Sequence, residues 1–577
     1  MAYDIMFKAK KQWQVKKLAK FKAVFFCLNS KYIHSSLAPW CLFSSCKNAF
    51  EEKLDLRVVE GTINEKSENV SERVILEKPD AVLMSCYIWN ITKTLETAKE
   101  IKSVLPETKI ILGGPEVSFN SERILKENSF VDYVLCGEGE ESSAFLLEAL
   151  SQRVNPEREI ATMRTEEGIV CGKYHIAEKT VSPYTQEYLE SLKNRIAYIE
   201  SSRGCPYNCA FCLSGDDRSV RFFDLERIKK EILLLSQSGT KTVKFVDRTF
   251  NCNKKRANEI LLFIKEAVEE GKIKDVCFHF EIAADILADD TLEIISQMPK
   301  GAVQFEAGIQ SFNPLTLEKI HRKTNLEKLC RNIERLISFK NCHIHIDLIA
   351  GLPFEDLTSL KESFNKAFSL RANMLQLGFL KILYGSCMKN NREEFPCLYK
   401  KEPPYEVIET MWLSSEELSF LHEFEDAFER LYNSGRFRRT LEYVLEVSKL
   451  SPFEVFAFFA DFIKKRKKQN FTLDEYTALV FEYFSSQPKI NPSVLRDKMI
   501  TDRIATNSSG IIPKCLQIED GNLRKVKHEV ALSYPKKKNI MRSVAILYSE
   551  NAVLFCDYTE KDVLSGEYPL KYLRVDI

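Results

Sequence analysis

The sequence has 577 residues, 45% hydrophobic and 29% charged, with 83 Lys and Arg against 82 Asp and Glu. That describes a soluble chain of roughly two to four domains, and a net charge of +1 gives no global field for a nucleic acid or a membrane surface. No apolar run reaches the ~18 residues of a bilayer span, the N-terminus lacks the apolar core expected of a signal peptide, and the 17 cysteines do not pattern as a disulfide scaffold, so a reducing cytoplasm is expected.

Residues 1–21 are lysine-rich and read as a solvated basic extension. Over residues 22–152, apolar runs alternate with helical patterns. Strands are expected at Lys22–Asn29, Leu56–Thr62, Pro79–Trp89, Lys109–Gly114 and Asp132–Gly137, with helices such as Ile91–Leu105 and Glu140–Ser151 between them. Such alternation predicts a doubly wound parallel sheet covered on both faces. Sheets of this kind bind ligands beyond the carboxyl ends of their strands. Three ends suit a ligand: residues 29–36, Gly113-Gly114-Pro115-Glu116 and Gly137-Glu138-Gly139-Glu140. Glycine there would let a flat ligand approach the backbone, although ordinary strand-to-helix turns would read the same way. Glu60 and Ser85 are secondary pocket candidates. Residues 153–196 read as a connector with a hairpin within Ile160–Ile176.

From 197 to 385 six strand patterns recur, Ala197–Ser202, Thr242–Asp247, Val276–Ile282, Val303–Ile309, His343–Ile349 and Leu375–Leu383, with helices between them. This predicts a partial (β/α)6 barrel with its chemistry at the carboxyl ends of the strands. The first strand runs into Ser202-Arg203-Gly204-Cys205-Pro206-Tyr207-Asn208-Cys209-Ala210-Phe211-Cys212. Three cysteines at spacings of four and three let one tight loop aim three thiolates at a common centre, and soft thiolates favour iron–sulfur or zinc. A structural zinc wants four ligands, and the next cysteine, Cys252, is far along the chain. A cubic cluster accepts three cysteines and leaves one iron open. Later strand ends carry Asp247 and Arg248, Glu281, Gln310 and Ser311, and Asp347. His343 and His345 share one face of their strand and read as packed residues rather than metal ligands.

Residues 386–577 read as mostly helical and aromatic from Pro404 to Phe484, with a capped helix start at Ser414-Ser415-Glu416-Glu417 and a glycine-ended helix near Gly435. The tail reads as β, with strands at Val530–Tyr534, Ser543–Tyr548 and Ala552–Asp557.

The C-x-x-x-C-x-x-C loop with an aromatic before its last cysteine resembles the signature of radical S-adenosylmethionine enzymes. The resemblance implies that Cys205, Cys209 and Cys212 are catalytic ligands of a 4Fe-4S cluster shielded by Phe211, whose open iron binds S-adenosylmethionine. It further implies that Glu281 holds the ribose and that Gln310 and Ser311 pack beside adenine and ribose. Asp247 and Arg248 would hold the methionyl group, with Arg322 a weaker candidate. The first domain resembles the cobalamin-binding domain that precedes many such barrels, which places Gly113, Gly114, Gly137, Glu138, Gly139 and Ser85 around a cobalamin. The Asp-x-His-x-x-Gly motif that ligates cobalt elsewhere is absent, so His34 is not expected on the metal. The region after the barrel is similar to a domain of unknown function in one subfamily of these enzymes. Together these likenesses imply methyl transfer to an unactivated centre, with a reduced flavodoxin- or ferredoxin-type protein as electron donor and neither membrane nor nucleic acid as partner. The alternatives are a cobalamin-assisted rearrangement or redox step, a methylthiotransferase with a second cluster on Cys27, Cys41 and Cys86, and a non-catalytic iron–sulfur or cobalamin protein.

Overall fold

The computed structural model describes residues 20–574 except 51–52, 216–218, 467–469, 520, 535–539 and 541. Nearly all of the basic extension therefore lies outside the described residues. The first sheet begins with β1 (Lys22–Asn29), β2 (Asp55–Thr62), β3 (Ala81–Ser85), β4 (Lys109–Gly113) and β5 (Tyr133–Gly137). These five are parallel in the order β2-β1-β3-β4-β5, so the order reverses beside β1 and β3, the switch point where doubly wound sheets take ligands. β1 is apolar from Ala23 to Leu28 because both its faces are covered. Ala23 and Phe25 pack with Trp40 and Phe43 of the helix Ala38–Phe50, whereas Val24 and Phe26 pack with Val70 and Ala98 on the opposite face. β3 stops at Ser85, short of Trp89, because the Asn90 side chain folds the turn. It accepts from Tyr87 N at 2.7 Å and donates to the carbonyls of Ser85 and Leu28. The connector supplies β6 (Thr162–Thr165) and β7 (Gly168–Val170), the expected hairpin, and β8 (Tyr174–His175), which pairs with β5.

The barrel strands are β9 (Ile196–Ile199), β12 (Thr242–Phe245), β13 (Cys277–Ile282), β14 (Val303–Gln310), β15 (His343–Ala350) and β16 (Met374–Phe379). Between β9 and β12 lies a small antiparallel ribbon, β10 (Ser202–Gly204) and β11 (Val220–Phe222). All six barrel strands are parallel and ordered β9-β12-β13-β14-β15-β16, which leaves the barrel open between β9 and β16. On β14, Val303, Phe305, Ala307 and Ile309 are buried against helices, while Gln304, Glu306, Gly308 and Gln310 face the lumen, half-buried. The open edge at β9 is capped by the first domain: His34 bridges to Ile196, whose N–H donates to Ile33 O at 2.7 Å.

After β16 come the hairpin β17 (Cys397–Tyr399) and β18 (Val407–Thr410) and a run of helices. Their aromatic faces extend the barrel core rather than starting another. Phe364 of the barrel helix Leu357–Ser369 lies 4.9 Å from Phe424, which stacks on Phe453 at 4.4 Å between ring centroids. Ser414 and Glu417 form the expected capping box, and Gly435 takes a φ of 67° after the helical run, as the left-handed cap requires. One expectation fails. Val530–Tyr534 is not a strand: Val526 and Val530, four residues apart, are the apolar stripe of the helix Asn522–Ser533. That stripe covers Ile546, Val553 and Phe555 of the sheet β19 (Ala545–Leu547), β20 (Ala552–Cys556) and β21 (Leu570–Arg574).

Candidate active site at the cysteine loop

The cysteine loop hangs from the β10–β11 ribbon. Gly204 turns it with a φ of 95°, and any Cβ there would collide with the Ser219 carbonyl. Two backbone hydrogen bonds anchor it, from Ala210 N to Ile320 O and from Met388 N to Ala210 O, each 2.9 Å. Cys205 and Cys209 are buried, Cys212 is exposed, and all three are free thiols. Each sulfur has a polar neighbour. Thr249 Oγ1 lies 3.5 Å from Cys205 Sγ, Arg322 Nη1 donates to Cys209 Sγ at 3.6 Å, and Ser214 N donates to Cys212 Sγ at 3.4 Å. Burial pushes the Cys209 thiol up and the Arg322 charge works against it. Three unpaired sulfurs on one loop, each beside a polar group, fit the thiolate ligands of an iron–sulfur cluster. Phe211 is partly buried against the core.

Around the mouth, Arg248 is exposed, and among the described residues no ion pair or hydrogen bond reaches its guanidinium. Glu281 on β13 is half-buried, 3.6 Å from Lys244 Nζ. Burial raises its pKa, opposed by the Arg248 and Lys244 charges. Gln310 takes a φ of 72° and folds its amide over Gly308, whose carbonyl accepts from Arg322. Two expected contacts have other work. Asp247 is buried and accepts from Ser201 N, Ser201 Oγ and Ser202 Oγ at 2.6–2.9 Å, so it fixes the entrance to the cysteine loop rather than offering a free carboxylate. Ser311 is fully buried, and its hydroxyl donates to Glu355 Oε1 at 2.6 Å.

The first domain meets this loop through ion pairs. Arg203, two residues before Cys205, lies 3.1 Å from Glu138, 2.6 Å from Glu140 and 2.8 Å from Glu200. Burial disfavours the Arg203 charge, but Glu200 and Glu140 outweigh it and raise its pKa. Glu138 also pairs with Arg221 and accepts from Ala177 N, so it serves as a domain fastener, not a free pocket group. Glu60 is tied likewise, to Arg195 at 2.5 Å and to the Trp40 and Asn29 side chains. His34 Nδ1 lies 2.7 Å from the Tyr198 hydroxyl of β9. Gly114 and Gly137 take φ values of 107° and 85°, and a Cβ at either would strike the backbone of Cys86 or His175; a Cβ at Gly139 would meet Leu42 at 2.8 Å. Those turns need glycine for their own packing. Gly113 has no such crowding, and Ser85 is buried at the end of β3. Cys27, Cys41 and Cys86 are buried in the core, where burial pushes the Cys27 thiol up to about 12 and raises the other two.

The residues that sequence reasoning missed are Arg195, Tyr198, Arg203 and, around Glu306 in the lumen, Lys244 and His279. Lys244 Nζ and His279 Nε2 lie 3.2 and 2.9 Å from Glu306 Oε2. The signal for the lumen set was present: polar residues at alternate positions of strands otherwise apolar.

Comparison with known proteins follows the same partition. The B12 binding domain family matches residues 26–147, the radical SAM superfamily residues 199–367, and a protein family of unknown function, DUF4080, residues 393–553. A 2-(S-pantetheinyl)-carbapenam-3-carboxylate methyltransferase of Streptantibioticus cattleyicolor is 26% identical over 315 residues, 49% of this chain and 44% of that one. The hopanoid C-3 methylase of Methylococcus capsulatus is 28% identical over 262 residues, covering 44% and 49%. The chain thus matches about half the length of these relatives. The cobalamin-dependent S-adenosylmethionine radical enzyme OxsB, solved with aqua-cobalamin and S-adenosylmethionine, shares the fold at a TM-score of 0.61 and 13% identity, covering 92% of this chain and 86% of that one.

Proposed function

Because residues 26–147 match the B12 binding domain family and residues 199–367 the radical SAM superfamily, we propose that the chain is a radical S-adenosylmethionine enzyme that moves a methyl group from S-adenosylmethionine to an unactivated carbon or phosphorus of its substrate. The carrying observation is that Arg203 ties the Glu138 and Glu140 turn of the first domain to the cysteine loop, so the two cofactor sites are set against one another by one side chain. The methyltransferase and methylase among the relatives support the reading. When bound, a 4Fe-4S cluster would supply one-electron reduction of S-adenosylmethionine and cobalamin would supply a methyl carrier. Cys205, Cys209 and Cys212 would hold the cluster by their three thiolates. Arg248, free of protein partners among the described residues, offers a charge-assisted contact to the methionyl carboxylate. Glu281 accepts from the ribose hydroxyls, and the Gly308–Gln310 turn forms the shelf beside the adenine. Flavodoxin or ferredoxin delivers the electron, in a reducing cytoplasm that keeps the thiols free. Among the described residues no helix is long and apolar enough to cross a membrane.

The reconstituted protein, given S-adenosylmethionine, reductant and cobalamin, should form both 5′-deoxyadenosine and S-adenosylhomocysteine, the latter only when cobalamin is present. Glu281→Gln and Arg248→Gln should each weaken S-adenosylmethionine binding by about 1–3 kcal/mol, the worth of a hydrogen bond to a charged group. 5′-Deoxyadenosine without any S-adenosylhomocysteine, in protein with cobalamin bound, would replace methyl transfer by a rearrangement or redox reaction.

A further inference from the structure

Inside the barrel, beneath the strand ends, β14 and β15 bring three metal-ligating side chains together. Glu306 lies directly across from His345 in the register, and Asp347 follows on the same face. One ligand atom from each lies within 4.8 Å of the others, among the described residues the one group of three that does so. His345 is only 7% exposed, yet its Nε2 has no hydrogen-bond partner. That atom is 3.0 Å from Asp347 Oδ1 but misaligned for a hydrogen bond. A separation of 3.0 Å is also the spacing of neighbouring ligands around a shared ion.

The surroundings agree. Glu306 Oε2 is taken by Lys244 and His279, with His345 Nδ1 at 3.8 Å, and among the described residues no hydrogen bond reaches Glu306 Oε1 or Asp347 Oδ2, which leaves both oxygens to coordinate. Lys244 pairs with both Glu281 and Glu306, and Asp347 has an ion pair only with His345 among the described residues, so the negative charge on Glu306 and Asp347 is one that a divalent cation would offset. An imidazole with two carboxylates suits Mn2+, Fe2+ or Zn2+. Three protein ligands leave coordination positions open toward the lumen, where a polar oxygen of a substrate could enter.

We propose that Glu306, His345 and Asp347 form a site for a divalent first-row metal ion in the barrel lumen, distinct from the cysteine cluster. The proposal does not depend on methyl transfer. Its test is titration of Mn2+ into the full-length protein with its cluster assembled and oxidised, following the paramagnetic resonance of free Mn2+. The expected result is one Mn2+ per chain, with affinity at least about tenfold weaker in Asp347→Asn and in His345→Gln, and stronger in Lys244→Met, which removes the competing charge. Iron content and circular dichroism show whether each variant has folded. Should His345→Gln fail to fold, Asp347→Asn and Lys244→Met still decide. No binding up to millimolar Mn2+, or binding that neither Asp347→Asn nor Lys244→Met alters, overturns the site.

Discussion

Removing the Arg203 guanidinium should do more damage than its place in a loop suggests. The Arg203 side chain is 14% exposed, and the Glu140 carboxylate beneath it 6%. Glu138 keeps Arg221 and a backbone N–H after the change, so the loss falls on Glu140 and Glu200. Breaking a buried pair by deleting one partner costs about 3–5 kcal/mol, because the remaining charge stays buried and unpaired. Arg203→Ala should therefore lower the melting temperature of the first two domains by roughly 4–7 °C and reduce the iron held after reconstitution, since the loop begins two residues on. Arg203→Lys should restore only part of the loss, because one ammonium cannot fork to three carboxylates. The double variant Arg203→Ala with Glu140→Gln should recover stability relative to Arg203→Ala alone, the coupling read by calorimetry as a double-mutant cycle. An Arg203→Ala protein that melts as the wild type does and loads its full iron would refute the argument.

Two further outcomes follow from buried geometry. Glu355 is fully buried; its Oε1 accepts from Ser311 and Ser363, while its Oε2 has no partner. Burial, opposed by those two hydroxyls, raises its pKa to about 7. The folded chain thus keeps a proton that the unfolded chain releases, so this contribution is full below about pH 4.5 and is lost as pH rises to about 7, up to about 3 kcal/mol in all. Glu355→Gln should flatten that slope and raise stability at pH 8; equal slopes in wild type and variant, by thermal melts across the window, would count against it. Gly204→Ala should halve iron loading or worse, because the new Cβ meets the Ser219 carbonyl; Gly168→Ala, at a φ of 119° with nothing within 4 Å, is the control that carries the backbone strain alone, about 1–2 kcal/mol.

Much of the fold was legible because burial writes itself into the sequence. β1 is apolar on consecutive positions since helices cover both faces, and β14 alternates since one face lines a lumen. The cysteine loop was legible because its chemistry needs fixed spacing. The tail was misread at Val530 because one short apolar stretch satisfies a strand as well as a helix, and only Val526, four residues back, decides between them. The partners of Asp247 and Ser311 were hidden for a different reason. A polar residue at a strand end looks the same whether it faces a ligand or a neighbouring turn, and Ser201, Ser202 and Glu355 claim these two.

The interfaces were the least legible part, and they change what the glutamates of the glycine turns are for. Glu116 follows Gly113-Gly114 and accepts from the Tyr405 hydroxyl, in the region after the barrel. Gly385 packs its bare Cα against the Phe119 ring, where no side chain would fit. Glu138 and Glu140 reach forward to Arg203. Each turn therefore binds a different later domain, and neither pairing is visible locally: the partners are 289 and 63 residues away. The same later region donates Met388 N to Ala210 O inside the cysteine loop. A segment that touches both the Glu116 turn of the first domain and the cysteine loop fixes the distance between them. On this argument residues 386–405 act as a brace between the first domain and the cysteine loop.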